Sequence, residues 1–197
     1  MRALFLLLAA LVAGCASPRI QVEVQPPAAW WQGSAADLVR YSIGARGQSP
    51  EWSKPPSGFR HLLTCHPEPY PDLNTTLLIF TPKAPSPKDA TALELLARFL
   101  ASAAKIQPDI QVLERGAKTE MGGREARLAE FTAAGRSPDG KEFTSRTRIW
   151  VAAVGSGFAV VAAQQPAAPD PLCASQLEAL LEGIVVGRPD DPPNNPR

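Results

Sequence analysis

Histidine and cysteine are the scarcest reactive residues of this chain, two and three in number, and His61, Cys65 and His66 fall within one short run. Imidazole and thiolate are the donors that zinc prefers. A structural zinc site wants four ligands, however, and the nearby Glu68 and Asp72 read as ordinary loop residues. Cys65 and His66 are also chain neighbours, which point to opposite faces of a strand. The run therefore reads as a strand end entering a proline-rich loop, with no metal. Gly155-Ser156-Gly157 lacks the Gly-x-Ser-x-Gly spacing of a nucleophile elbow and has no evident histidine base. It does not extend to a dinucleotide fingerprint either, because Val160 stands where the third glycine belongs. No P-loop is present. No catalytic residue and no cofactor is assigned, and the expectation is a protein that is not an enzyme.

Three further features could recognise a ligand or partner. Lys141, Arg146 and Arg148 make a small basic stripe, which reads as a solvated strand face on which anionic groups could dock. Asn74-Thr75-Thr76 fits a glycosylation pattern but reads as a turn into a strand. Trp30 and Trp31 are adjacent, and amphipathic rings suit a membrane interface or a partner contact. The alternative, which we favour, is that one of them packs over a sheet edge and pins the amino terminus.

Cys15 carries the strongest covalent signal. Arg2 precedes an apolar stretch over residues 3–12, and Leu11-Val12-Ala13-Gly14 leads directly into the cysteine. A basic start, a short apolar core and small residues at the cut make a secretory signal. The apolar core is too short to span a hydrocarbon layer, which needs about 20 residues. The Leu-Val-Ala-Gly-Cys string resembles the lipobox of bacterial lipoproteins. That resemblance implies removal of residues 1–14, a diacylglyceryl thioether on Cys15 and an acyl group, such as palmitate, on its new amine. It implies a membrane anchor, and Ala16, where enterobacterial retention signals have Asp, favours the outer membrane facing the periplasm.

The mature chain would be one domain by length. Loss of Arg2 moves the formal charge from +1 to about zero, which argues against nucleic acid as a partner and against a polybasic lipid-binding surface. Cys65 and Cys173 would remain after lipidation, in an oxidising compartment. A disulfide between them is one reading. Two buried thiols acting as small apolar side chains is the other.

Proline divides the chain. Of its 21 prolines, only Pro108 and Pro138 lie between Lys88 and Gln165, and that stretch should hold most of the regular structure. Residues 15–29 read as the lipidated cysteine and a flexible tether, 30–187 as one globular domain, and 188–197 as a disordered tail. A helix is expected over 87–106, capped by Ser86, with Pro87 in its first turn. Its buried stripe would be Leu93, Leu96, Ala97, Leu100 and Ala104, broadened by Leu95, Phe99 and Ile106. A second helix is expected over 171–183, capped by Asp170, burying Cys173, Leu177, Leu180, Leu181 and Ile184. Between them the period switches to two. Strands are expected over 110–115, 125–132, 143–153 and 158–163, the last buried on both sides. Turns fall at Met121-Gly122-Gly123, Ser137-Pro138-Asp139-Gly140 and Gly155-Ser156-Gly157. Shorter strands are expected over 38–45, 59–65 and 76–81.

This is an α+β architecture: an antiparallel sheet of about six strands flanked by two main helices. Phe80-Thr81-Pro82, the long helix, Gly122-Gly123-Arg124-Glu125-Ala126 before a strand, Asp139-Gly140-Lys141 and the last helix occur in an order that resembles the PsbP/Mog-type fold of DcrB-like envelope lipoproteins. The resemblance covers residues 80–186 and implies an α/β/α sandwich. It also implies a non-catalytic module that binds an envelope protein partner. The competing expectation is a small-ligand binder with a pocket between helices and sheet, and the weakest is a hydrolase with an unrecognised site.

Overall fold

In the computed structural model, the described residues are 20–38, 58–65, 74–82, 91–106, 109–136 and 142–187. Cys15, His66, Lys141 and the expected tail at 188–197 lie outside them, as do Ser86 and Pro87. The strands are β1 (Gln21–Glu23), β2 (Trp31–Gly33), β3 (Phe59–Thr64), β4 (Thr76–Phe80), β5 (Gln111–Met121), β6 (Arg124–Arg136), β7 (Glu142–Val154), β8 (Gly157–Pro166) and β9 (Val185–Gly187). Helix α1 is Ala92–Ile106 and α2 is Pro171–Gly183. A further helical turn covers 35–38.

Seven strands form one sheet in the order β2-β3-β4-β8-β7-β6-β5, not the expected six or so, and β1 pairs with β9 in a separate two-stranded ribbon. Every pairing is antiparallel. The chain crosses from β4 to the far edge through α1, then returns as a meander from β5 to β8, which closes beside β4. β8 is thus the central strand. Phe158, Val160 and Ala162 face α1, and Ala159, Val161 and Ala163 face α2. Alternation along a strand buried on both sides produces this near-continuous apolar run.

The α2 helix matches its expected limits. Asp170 Oδ1 accepts hydrogen bonds from Leu172 N at 2.9 Å and Cys173 N at 3.1 Å, and Pro171 occupies the first turn, where its missing N–H costs nothing. Helix α1 begins later than expected, at Ala92. Its cap is a box in which Thr91 Oγ1 accepts from Glu94 N at 3.2 Å and Glu94 Oε2 accepts from Thr91 N at 2.8 Å. The buried stripe of α1 is also rotated. Leu95, Leu96, Phe99, Leu100 and Ala103 are buried, whereas Leu93, Ala97 and Ala104 are exposed. Both stripes satisfy helical spacing, but the observed one places the larger side chains against the sheet.

Three other expectations are corrected. Leu38 lies in the helical turn at 35–38 and not in a strand, while the rest of the strand expected over 38–45 is outside the described residues. The strand expected over 110–115 continues to Met121 through two bulges. Glu114 Oε1 accepts from the backbone of Arg115 and Ala117 there, at 2.7 and 3.1 Å, and so satisfies amides that the bulge removes from the ladder. The tether expected over 15–29 is docked from Ile20 onward: Ile20 and Val22 are buried and β1 pairs with β9. A three-residue strand carries no periodic signal beside the flanking Pro18, Pro26 and Pro27.

Gly122 closes this arrangement. It has φ +59°, and an added Cβ would stand 2.6 Å from Val186 Cγ2 and 2.7 Å from Val186 N. Its carbonyl accepts from Val186 N at 3.0 Å, and Arg124 Nε donates to Val186 O at 3.2 Å. The Gly-Gly-Arg turn is therefore a seat for β9, and only glycine permits both the backbone conformation and the approach.

Candidate functional site

The adjacent tryptophans are divided between the two faces of the sheet. Trp30 is buried on the α2 side, where its Nε1 donates to Gln176 Oε1 at 2.7 Å. Its backbone N–H closes a turn onto Pro27 O at 2.9 Å. Trp31, in edge strand β2, is half-buried against the α1-side core. Trp30 thus ties the amino-terminal segment to α2, with its polar edge satisfied, as a buried indole requires.

Cys65 and Cys173 are joined by a disulfide with a Cα–Cα distance of 5.8 Å and a sequence separation of 108. Cys65 follows β3 directly, and Cys173 sits in the first turn of α2. The bond links sheet to helix beside the Trp30–Gln176 contact, with Gln176 Oε1 4.0 Å from Cys65 Sγ. His61 lies in β3, partly buried, with its ring hydrogen-bonded to the Val22 backbone. Burial pushes its pKa below the ordinary value, with the Arg60 charge acting in the same direction and the Val22 bond partly opposing both. Because the Cys65 sulfur is held in the disulfide, it is not a thiolate ligand. Among the described residues, no three His, Cys, Asp or Glu side chains come together as metal ligands would.

The basic stripe is compensated. Arg146 Nε donates to Glu130 Oε1 at 2.6 Å. That hydrogen bond raises the guanidinium pKa further. Arg148 meets the Glu178 carboxylate of α2 through both terminal nitrogens, one at 3.1 Å, and lies 5.3 Å from the Trp150 ring centroid. Ser156 is exposed in the two-residue turn between Val154 and Gly157. The exposed large apolar side chains among the described residues are Leu93, Leu113, Leu172 and Val185, on four different elements.

One arrangement escaped the sequence reading. Trp31 pairs with Thr64, Thr64 with Thr76, Thr76 with Gln164, and Gln164 with Thr147. Directly opposed residues share a face, and this row lies on the α1 side, in line with Leu62, Leu78, Ala162 and Ile149. Thr64, Thr76, Gln164 and Thr147 are all buried. Among the described residues, neither Thr64 Oγ1 nor Thr147 Oγ1 has a hydrogen-bond partner. A buried hydroxyl left so costs about 1–3 kcal/mol. Each residue prolongs the inward-facing alternation of its strand with a polar side chain. Their alignment across four strands becomes visible only once the register is known. Hydroxyls and an amide of this kind recognise by hydrogen bonding. They are not nucleophiles without a base, and His61 stands on the opposite face.

Neither a protein-family model nor a curated protein sequence matches the chain. Among solved structures, LpqN of Mycobacterium tuberculosis, involved in cell envelope biogenesis, matches with a TM-score of 0.53 and 14% identity over 86% of each chain. Looser matches are the cyanobacterial PsbP (CyanoP) of Synechocystis sp. PCC 6803 and a protein of Bacteroides thetaiotaomicron. CyanoP has a TM-score of 0.48 and 14% identity, covering 88% of this chain and 95% of that one. The Bacteroides protein has a TM-score of 0.44 and 12% identity, covering 91% of this chain and 50% of its own length. At such identity the likeness to LpqN is one of fold.

Proposed function

We propose that the chain is a lipid-anchored cell-envelope lipoprotein, a non-catalytic binding or scaffold module facing the periplasm from the outer membrane. The observation that carries this reading is Cys15 after Leu11-Val12-Ala13-Gly14, five residues before Ile20, which is buried in the folded body. The fold likeness to LpqN, a protein of cell envelope biogenesis, supports the same setting. The described charges also support binding rather than catalysis, because Arg146 and Arg148 are engaged by Glu130 and Glu178 instead of converging in a cleft.

The test is metabolic labelling with a fatty acid in a bacterial host. The wild-type protein should take up label and fractionate with membranes, and Cys15→Ser should do neither. Equal labelling of the two would defeat the anchor. For the module, crosslinking in intact cells should capture a defined envelope partner from the anchored form only.

The small-ligand reading is favoured by one observation, the buried hydroxyl row on the α1 side of the sheet. Native mass spectrometry of protein purified from its bacterial host tests it: a co-purifying mass lost on Thr64→Val and Thr147→Val would establish a bound ligand.

A further inference from the structure

The lipid anchor just proposed has a geometric consequence that rests on it. The amino-terminal segment is held in place from the first described residues onward. Ile20 and Val22 are buried, Val22 pairs with Val186, and Val186 is seated on the Gly122 turn. Only residues 16–19 separate Cys15 from Ile20. Fully extended, those five steps reach about 17 Å at ~3.4 Å per residue.

The body is three layers deep. Helix α1 covers one face of the sheet, and α2 with the β1–β9 ribbon covers the other. With sheet and helix layers about 10 Å apart and a helix about 10–12 Å across, the outer surface of α1 lies roughly 25 Å from the ribbon. If α1 rested on the leaflet, Ile20 would stand higher above it than its link to the anchored cysteine can reach.

We infer that the β1–β9 ribbon and the α2 layer face the lipid headgroups of the leaflet that holds the anchor, and that α1 faces away from it. The outward side of this layer is acidic, with Glu23 on the ribbon and Glu178 and Glu182 on α2, so it is the short link and not charge that turns it toward the leaflet. Gln21, Glu23 and Val185 are exposed on the ribbon, with one carboxylate among them and a valine 41% exposed. Gln21 lies opposite Gly187, so the chain leaves its last strand beside the point where it enters the first. The α1 surface is then the one offered to a partner approaching from the periplasm.

The test uses the full lipidated protein in phosphatidylethanolamine and phosphatidylglycerol vesicles carrying a headgroup nitroxide lipid. Single cysteines are introduced at Gln21→Cys and Glu23→Cys on the ribbon, and at Ala101→Cys and Lys105→Cys on exposed positions of α1. Cys65 and Cys173 are bonded to each other, so a fluorescent maleimide reads the introduced thiol. Ribbon labels should be quenched several-fold more than α1 labels. Equal quenching, or stronger quenching on α1, overturns the orientation. Mass spectrometry of the same preparation keeps the two ideas apart. Without lipid on Cys15, the anchor fails and the orientation fails with it. With lipid present and equal quenching, the orientation alone fails.

Discussion

The two faces of the sheet are covered in different ways. On one side α1 is held by packing: Leu95, Leu96, Phe99, Leu100 and Ala103 lie against Phe131, Ile149, Val151 and Val160. On the other side, α2 has an apolar core of its own and several specific ties besides. The Cys65–Cys173 bond fixes its start, Gln176 holds Trp30, Glu178 holds Arg148, and Val186, just beyond its end, sits on Gly122. The difference teaches that non-covalent packing suffices for a long amphipathic helix crossing the sheet. Two three-residue strands need pairwise anchors, because an isolated short element cannot bury enough surface to offset its ordering entropy, and the ties on the α2 side hold them in register with the helix.

That contrast can be broken at several points. The largest effect is expected from Cys65→Ala with Cys173→Ala. Opening a loop of about 100 residues costs about 4–5 kcal/mol in the chain-entropy model. Urea unfolding should show that loss, which lowers global protection in both helices alike, and hydrogen exchange under native conditions should show a further loss by local opening at the start of α2, where Cys173 is no longer tied to Cys65. Equal loss in both helices would erase the contrast. Next is Phe99→Ala, which removes a fully buried ring from the α1 side and should cost about 3–5 kcal/mol. Its effect on exchange should have the opposite distribution, with α1 losing more.

Gly122→Ala should follow. A left-handed backbone costs a non-glycine residue about 1–2 kcal/mol, and displacing Val186 adds to it. Gly155→Ala meets a comparable backbone, with φ +62° in an exposed turn, and is the control. A larger loss at Gly122 than at Gly155 in thermal melts would confirm the seat for β9, and equal losses would refute it.

The smallest effect concerns pH. The His61 pKa is lowered in the folded state by burial, so the unfolded chain binds the proton more readily. Stability from this group is full above the unfolded value of about 6.5 and is lost as pH falls through the depressed folded value. The melting temperature of the wild type should therefore drop more between about pH 7.5 and about pH 5.5 than that of His61→Gln. Parallel curves would show that His61 does not contribute to the pH dependence of stability.

Much of the sheet was legible in the residues. Arg146 and Arg148 against Thr147, Ile149 and Val151 announced the two faces of β7, and the apolar run from Phe158 to Ala163 announced a strand covered on both sides. Asp170-Pro171 announced the start of α2. The candidate sites were less legible. Trp30 and Trp31 are adjacent and chemically alike, yet one is buried against Gln176 and the other half-buried at an edge, because Trp30 closes a turn on the α2 side just before β2 begins at Trp31. Val22 and Val186 are ordinary valines until each finds the other across the whole length of the fold.

What the amino-acid sequence determined by itself is local. Caps, turn glycines and the switch between helical and strand periods depend on backbone conformation and on neighbours a few residues away. The run ending at Cys15, on which the proposed anchor rests, is local too. Tertiary structure decided the pairing of Cys65 with Cys173, the docking of β1 on β9, the seat at Gly122 and the hydroxyl row from Thr64 to Thr147. Each depends on register and approach between segments far apart in the chain. A three-residue strand or a single buried threonine has no period of its own to announce where it will lie.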